Sequence, residues 1–357
     1  MIPAGWTPRT AFTELVGCRY PIVQTGMGYV AGARLAAATS NAGGLGIIAA
    51  ATMSVERMTA AIRSVKDRTG APFGVNIRSD ADDARERVEV MIREGVRVAS
   101  FALAPRRELI ARLKDAGVVT MPSVGARRHA EKVAAWGVDA VIVQGGEGGG
   151  HTGPVPTTLL LPQVVDAVDV PVVAAGGFFD GRGLVAALAY GAAGVAMGTR
   201  FLLTSDSTVG EEVKKLYLGA SDTLVTTRVD GVPHRVLRTP FVESLERGGR
   251  LRGLARAVAN GARFKKISGL TWPEMIREGR RMRHGRDLTW AQVLQAANTP
   301  MLLRAAMVDG RADLGVMAAG QVVSVIDDLP SCEELIARIM AEAHDALSVL
   351  PATDNDH

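Results

Sequence analysis

Ten consecutive residues, Gln144-Gly145-Gly146-Glu147-Gly148-Gly149-Gly150-His151-Thr152-Gly153, hold six glycines and one imidazole. Glycine loses more chain entropy on ordering than any other residue, so this loop is costly to fix in place. Its bareness points to a large flat ligand lying alongside. Histidine is the side chain best matched to proton transfer near neutral pH, and we read His151 as a general acid or base. The competing reading is a structural histidine. Five others occur, His129, His234, His284, His344 and His357, none in a comparable setting. His129 reads as a surface residue in mid-helix.

Two more glycine-rich turns carry a second kind of chemistry. Gly176-Gly177 follows Pro171–Ala175, and Gly198-Thr199 follows Gly194–Met197. Glycine lets a backbone approach a ligand, and backbone N–H groups at loops and helix N-termini hold phosphate. These four residues predict a phosphorylated ligand. The competing reading is a pair of tight turns with nothing bound.

The elements that must carry these loops are legible. Short β-branched runs recur at Tyr20–Gln24, Leu45–Ala49, Phe73–Asn76, Val96–Phe101, Val118–Met121, Ala140–Gln144, Pro171–Ala175 and Gly194–Met197. Their spacing of about 20 to 30 residues suits a strand-plus-helix unit. The helices between them are amphipathic. Ser54–Thr69 starts on a Ser54 cap with apolar Val55, Met58, Ile62 and Val65, while Arg106–Ala116 and Ala126–Trp136 stop at Gly117 and Gly137. Apolar strands bounded by helices are parallel strands covered on both faces. Eight units predict an α/β fold, a (β/α)8 TIM barrel, over a doubly wound sheet. In such a barrel the loops at the strand C-terminal ends form the active site, with phosphate after strands 7 and 8. The glycine turns fall at those places.

After Thr199 the alternation ends. We expect a barrel over 1–210, an α-helical basic insertion after strand 8 over 211–295, and a C-terminal segment over 296–350 packing back on the barrel. That segment includes a strand-like patch, Gly320–Ile326, and 351–357 reads as a disordered tail.

Composition narrows the partners. The chain has 357 residues, 47% hydrophobic, 22% charged, and a net charge of +4, which excludes a disordered protein. At 4% aromatic content a stacking platform for single-stranded nucleic acid is not expected. Cys18 and Cys332 are far apart, which excludes a disulfide framework and a thiolate zinc site, and no metal is expected. No apolar stretch reaches ~18 residues without a charge or glycine cluster, and the N-terminus has no signal-peptide pattern. These features predict a soluble cytoplasmic protein without membrane or nucleic-acid partners. Whether it forms a homo-oligomer stays open.

The segments VIVQGGEGGGHTG, AAGGFFDGRG and AMGTRF together resemble the nitronate monooxygenase-like flavoproteins, a superfamily that also holds flavin-dependent enoyl-thioester reductases. The resemblance covers roughly 18–210 and the element Ala318-Ala319-Gly320-Gln321. It implies FMN at the barrel mouth, with its phosphate on Gly176, Gly177, Gly198 and Thr199. It places the flavin ring among Met27, Asn76, Gln144, Gly149 and Gly150, with Gln321 near the ring. His151 matches the family's active-site histidine. Two departures show: Thr25-Gly26-Met27 where Ala-Pro-Met is common, and Gly148 where alanine is common.

Two substrate classes compete. A nitronate monooxygenase oxidises a small anion with dioxygen, whereas a thioester enzyme needs cations for coenzyme A. From Arg228 to Arg286 there are 15 Lys/Arg against 5 Asp/Glu, leaving 26 against 32 elsewhere. Arginine binds phosphate bidentately, so Arg250, Arg256, Lys265, Lys266 and Arg280 are candidate CoA contacts. A solvated helix face is the competing reading. Further segments, TGMGYVAGARL, REGVRVASFALAP, VDGVPHRVLRT and TWPEMIREG among them, resemble actinobacterial flavoenzymes that degrade the last two steroid rings. That resemblance implies a bicyclic hydroxy-indanone carboxyl-CoA substrate, a new C=C bond, and NAD as electron acceptor. A non-flavin barrel is the alternative enzyme, although nucleotide dehydrogenases of that kind use a cysteine after strand 6, absent here. A binding module without catalysis would leave His151 without a purpose.

Overall fold

The computed structural model of the chain describes residues 7–102, 105–247 and 300–349. They fall into two compact units. One takes the chain up to Gly148, then Gly153–Thr208, then the part from Val325 onward. The other takes Gly149–Thr152 and the part between Val209 and Ser324.

The first unit is a closed barrel of eight parallel strands. These are β1 (Ile22–Gln24), β2 (Leu45–Ala49), β3 (Phe73–Arg78), β4 (Val98–Ala102), β5 (Val119–Val124), β6 (Val141–Gln144), β8 (Val172–Ala175) and β9 (Gly194–Met197). A short strand, β7 (Gly150–His151), falls between β6 and β8 in the chain and belongs to another sheet. The barrel closes where β1 pairs with β9, Gln24 opposite Met197. All eight expected runs are barrel strands. Three run further than expected, β3 to Arg78, β4 to Ala102 and β5 through Pro122 to Val124.

Helices α2 (Ala33–Asn41), α3 (Val55–Lys66), α4 (Ala84–Arg93), α5 (Arg107–Asp115), α6 (Arg127–Ala134), α7 (Thr157–Val165), α8 (Gly181–Ala189) and the short α9 (Thr199–Leu202) follow the strands. In α3 the Ser54 hydroxyl accepts the Arg57 N–H at 3.3 Å, and Met58, Ile62 and Val65 are buried at helical spacing. Gly117 (φ 75°) and Gly137 (φ 81°) stop α5 and α6 in the left-handed region, which a side chain would strain. One helix went unforeseen. Before β1, α1 (Ala11–Val16) opens on a Thr10–Thr13 capping box and sends Phe12 and Val16 into the core. Those side chains pack on alternate inward residues of the strands, such as Leu45 and Ile47, Val119 and Met121. The last helix, α12 (Cys332–Val349), packs on α8 and α2. A Cβ on Gly181 would stand 2.2 Å from the Ala343 nitrogen, so glycine permits that approach.

The second unit corrects the expectation of an all-helical insertion. After α10 (Glu211–Leu218), strands β10 (Thr223–Thr226) and β11 (His234–Leu237) form an antiparallel hairpin, and α11 (Pro240–Arg247) follows. β7 joins as the third strand, in the order β10-β11-β7. Four-residue strands in a charged context leave too short an alternation to compete with the helical signal around them. Val229, Val236, Val242 and Val316 form this unit's core. The 320–326 patch is corrected too. It is a 3-10 turn, Gln321–Val325, with Val323 buried inside it and Ile326 buried just after it, a spacing of three, not two. The rest of the expected insertion and the expected tail lie outside the described residues.

Candidate active site

Parallel strands in a closed barrel deliver all their C-terminal ends to one rim. Register brings Gln144 opposite Ala175, and Ala175 opposite Ala196, so the β6, β8 and β9 exits adjoin. Met27, Asn76, Gln144, Gly176, Gly177, Gly198 and Thr199 therefore share the rim. Asn76 is buried and its amide donates to the Ser100 hydroxyl at 3.1 Å, which fixes its orientation. A Cβ on Gly26 would stand 2.6 Å from Asn76 Cβ. Glycine at this position is what lets Asn76 sit against the β1 loop. Tyr29 in that loop holds φ 63°, a strained state for a non-glycine residue and a frequent mark of a functional segment.

The glycines divide into two groups. Some make room for the chain itself. A Cβ on Gly145 would stand 2.0 Å from Thr157 Oγ1, on Gly148 2.6 Å from Gln144 Nε2, and on Gly176 3.1 Å from the Gly145 carbonyl oxygen. The loop is pinned further by Glu147, whose carboxylate accepts the Thr157 hydroxyl (2.7 Å) and N–H (3.0 Å) at the start of α7. Gly177 and Gly198 are different. Gly177 holds φ 87° with, among the described residues, only the Glu147 side chain near a Cβ there, at 3.8 Å, and Gly198 has Thr25 Cγ2 at 3.4 Å and Met27 Sδ at 3.5 Å. A Cβ on either would meet side chains at ordinary contact distance and no backbone, which leaves the main chain of both approachable and fits the residues to a phosphate-bearing ring cofactor such as FMN.

His151 lies in the second unit, on β7, and the structure gives it partners the sequence did not. His151 Nε2 is 2.5 Å from Asp230 Oδ2. Asp230 is 8% exposed, and its other oxygen accepts the Val232 N–H at 3.1 Å in the turn before β11. Gly231 (φ 84°) makes that turn. Burial alone would push the Asp230 carboxyl up. The hydrogen bond from His151 and the nearby imidazole charge outweigh it and hold the carboxyl well below the usual range. The group is thus a carboxylate, and Nε2 is the donor. His234 stands opposite His151 in the β7–β11 register, ring centroids 4.7 Å apart. Its Nδ1 is buried with no hydrogen-bond partner among the described residues, 3.9 Å from Asp230 Oδ2. Burial, with His151's charge adding to it, holds this imidazole below its ordinary value, against Asp230's pull. The ligand atoms of His151, Asp230 and His234 lie within 4.8 Å of one another. Two ligands of one zinc ion stand about 3.3 Å apart, so the 2.5 Å separation is a hydrogen bond.

The model of the nitronate monooxygenase family matches residues 9–342. The chain belongs to the nitronate monooxygenase family. Within it, the chain is 67% identical over 340 residues to the (3aS,4S,5R,7aS)-5-hydroxy-7a-methyl-1-oxo-octahydro-1H-indene-4-carboxyl-CoA dehydrogenase of Mycobacterium tuberculosis, covering 94% of this chain and 96% of the relative. It is 62% identical to the Rhodococcus jostii enzyme of the same name, over 97% and 99% of the two chains. Among solved structures, FabK from Thermotoga maritima superposes with a TM-score of 0.78 at 34% identity, covering 96% of this chain and 98% of that one. The family name and the relatives' names are those of oxidoreductases, and this chain is an oxidoreductase.

For a nitronate monooxygenase family member the remaining expected residues place as follows. Gly149 abuts the Ala319–Gly320 peptide, with a Cβ there at 2.6 Å from both the Ala319 carbonyl carbon and the Gly320 nitrogen, so the element preceding Gln321 reaches Gly149. Gln321 itself is exposed. Gly150 holds φ 74° beside His234. Arg250, Arg256, Lys265, Lys266 and Arg280 lie outside the described residues. Asp230 and His234 were missed, and the Asp-Gly-Val-Pro-His turn before β11 was the one signal that could have marked them. No helix among the described residues is long and apolar enough to cross a membrane.

Proposed function

We propose that this chain is an FMN-dependent dehydrogenase of a bicyclic hydroxy-methyl-oxo-indane carboxyl-CoA thioester, with NAD+ as electron acceptor. The observation that carries the reading is the 67% identity, over 94% of the chain, to the Mycobacterium tuberculosis dehydrogenase named for that substrate. The cofactor would be held by Met27, Asn76, Gln144, Gly149, Gly150, Gly176, Gly177, Gly198, Thr199 and Gln321. FMN, when bound, supplies an acceptor for a hydride.

His151 takes the proton from the carbon beside a carbonyl or thioester, where enolate character makes it acidic. Loss of that proton and of a hydride from the neighbouring carbon leaves the C=C bond, and the two electrons end on NAD+. Arg250, Arg256, Lys265, Lys266 and Arg280 supply cations for the phosphates of coenzyme A, the chemistry their clustering suits. The enzyme works in the cytoplasm.

Oxidation of small nitronates with dioxygen is the second reading, favoured by the description of the matching family. One experiment separates them. The purified protein is expected to be yellow and to bleach on anaerobic mixing with the indane carboxyl-CoA thioester, with colour returning on addition of NAD+. A colourless protein that takes up no FMN would overturn the flavin reading. Bleaching by an alkyl nitronate and not by the thioester would move the substrate to the second reading.

A further inference from the structure

We propose that Asp230 is a positioning residue for His151, fixing the neutral imidazole as the Nε2–H tautomer so that Nδ1 carries the basic lone pair. The proposal rests on the reading of His151 as the base and goes beyond it by naming the group that sets its tautomer.

Three observations converge. The Nε2···Oδ2 contact of 2.5 Å is a short charge-assisted hydrogen bond. The carboxylate is buried, and the Val232 N–H on Oδ1 aims Oδ2 at the ring. The backbone holds the ring in register, because His151 is paired across β7–β11 with His234, four residues beyond Asp230 in the turn that carries it. The turn, the strand pair and the hydrogen bond thus act on one imidazole. His234 packs against the ring, tilted 45° to it. Its Nδ1, at 3.9 Å, is too far from Oδ2 to take the carboxylate away. An imidazole whose one nitrogen donates to a carboxylate has its tautomer and orientation set by that bond, the role the aspartate plays in serine-protease triads.

The test is nitrogen-15 NMR of imidazole-labelled holoenzyme, with His151 assigned by the signal absent in His151→Gln. Neutral His151 of the wild type is expected as the Nε2–H tautomer. Asp230→Asn keeps an oxygen for the Val232 N–H and removes the charge. It is expected to redistribute the tautomer and lower kcat by roughly 10²- to 10⁴-fold. KM and FMN content should stay as in the wild type, a split that loss of folding would not give. An Nδ1–H tautomer in the wild type would overturn the proposal without any variant. Inactive His151→Gln beside fully active Asp230→Asn would overturn the positioning role alone, whereas full activity in His151→Gln would overturn the catalytic histidine itself. One equivalent of a divalent metal in the purified protein, with turnover lost on its chelation, would also sink it, since the three side chains would then serve an ion.

Discussion

His234 faces His151 ring to ring across the β7–β11 pair, at 4.7 Å, and only His234 of the two is sealed from solvent. Its burial sets a direction for stability against pH. The folded value lies below the ordinary 6.5, so the unfolded chain takes up a proton that the folded chain refuses as pH falls below about 6.5. Stability therefore falls with pH over that window, and above it His234 contributes nothing. We expect Tm to drop between pH 7 and pH 5, and the drop to be shallower in His234→Phe. Scanning calorimetry across that range checks it. Asp230 acts in a lower window, because its stabilisation is present above about 3.8 and goes only as pH falls through its depressed folded value.

His151→Ala should leave FMN bound and reduce turnover by roughly 10²- to 10⁴-fold, the usual worth of general acid–base catalysis. The flavin spectrum and the rate of anaerobic bleaching report the two halves separately. A variant that loses its colour would place His151 in cofactor retention instead.

The two classes of glycine should respond oppositely to one methyl group. Gly145→Ala drives a Cβ to 2.0 Å from Thr157 Oγ1 and 2.5 Å from the Thr157 nitrogen, and should destabilise the apoprotein by about 1–3 kcal/mol in urea. Gly198→Ala meets only side chains at ordinary contact distance. Its apoprotein should stay within about 0.5 kcal/mol of wild type, while FMN binds more weakly on titration.

Both thiols should be silent. Burial pushes Cys18 and Cys332 up to about 12, so the reactive thiolate is scarce near neutral pH. Ellman's reagent at pH 8 should label neither in the native protein and both once urea unfolds it.

The barrel was open to reading because each parallel strand is buried on both faces and announces itself as an unbroken apolar run such as Leu45–Ala49. The short capped helix α1 hid behind a polar Thr-rich start. Thr223–Thr226 and His234–Leu237 were hidden by brevity, since each has only two apolar residues among its four. The glycine loop is plain in the sequence, but the part of its bareness that makes room for the chain itself is not. Thr157, Gln144 and the Ala319–Gly320 peptide account for Gly145, Gly148 and Gly149 sterically. Asp230 could not be found by spacing. It stands 79 residues from His151, and only strand pairing brings the two together.

The membership of β7 in the β10-β11 sheet has a consequence for engineering. The histidine is encoded among barrel residues, while its carboxylate and its strand partner are encoded beyond Val209. A chain cut back to 1–208 and 325–357 would keep the imidazole and lose both its carboxylate partner and its strand partner. A chimera that exchanged Val209–Ser324 for the equivalent stretch of a cousin without the Asp-Gly-Val-Pro-His turn would inherit the same defect. The stretch is thus no interchangeable cassette of specificity, and grafts that aim to change the substrate should leave Asp230 and His234 with the host.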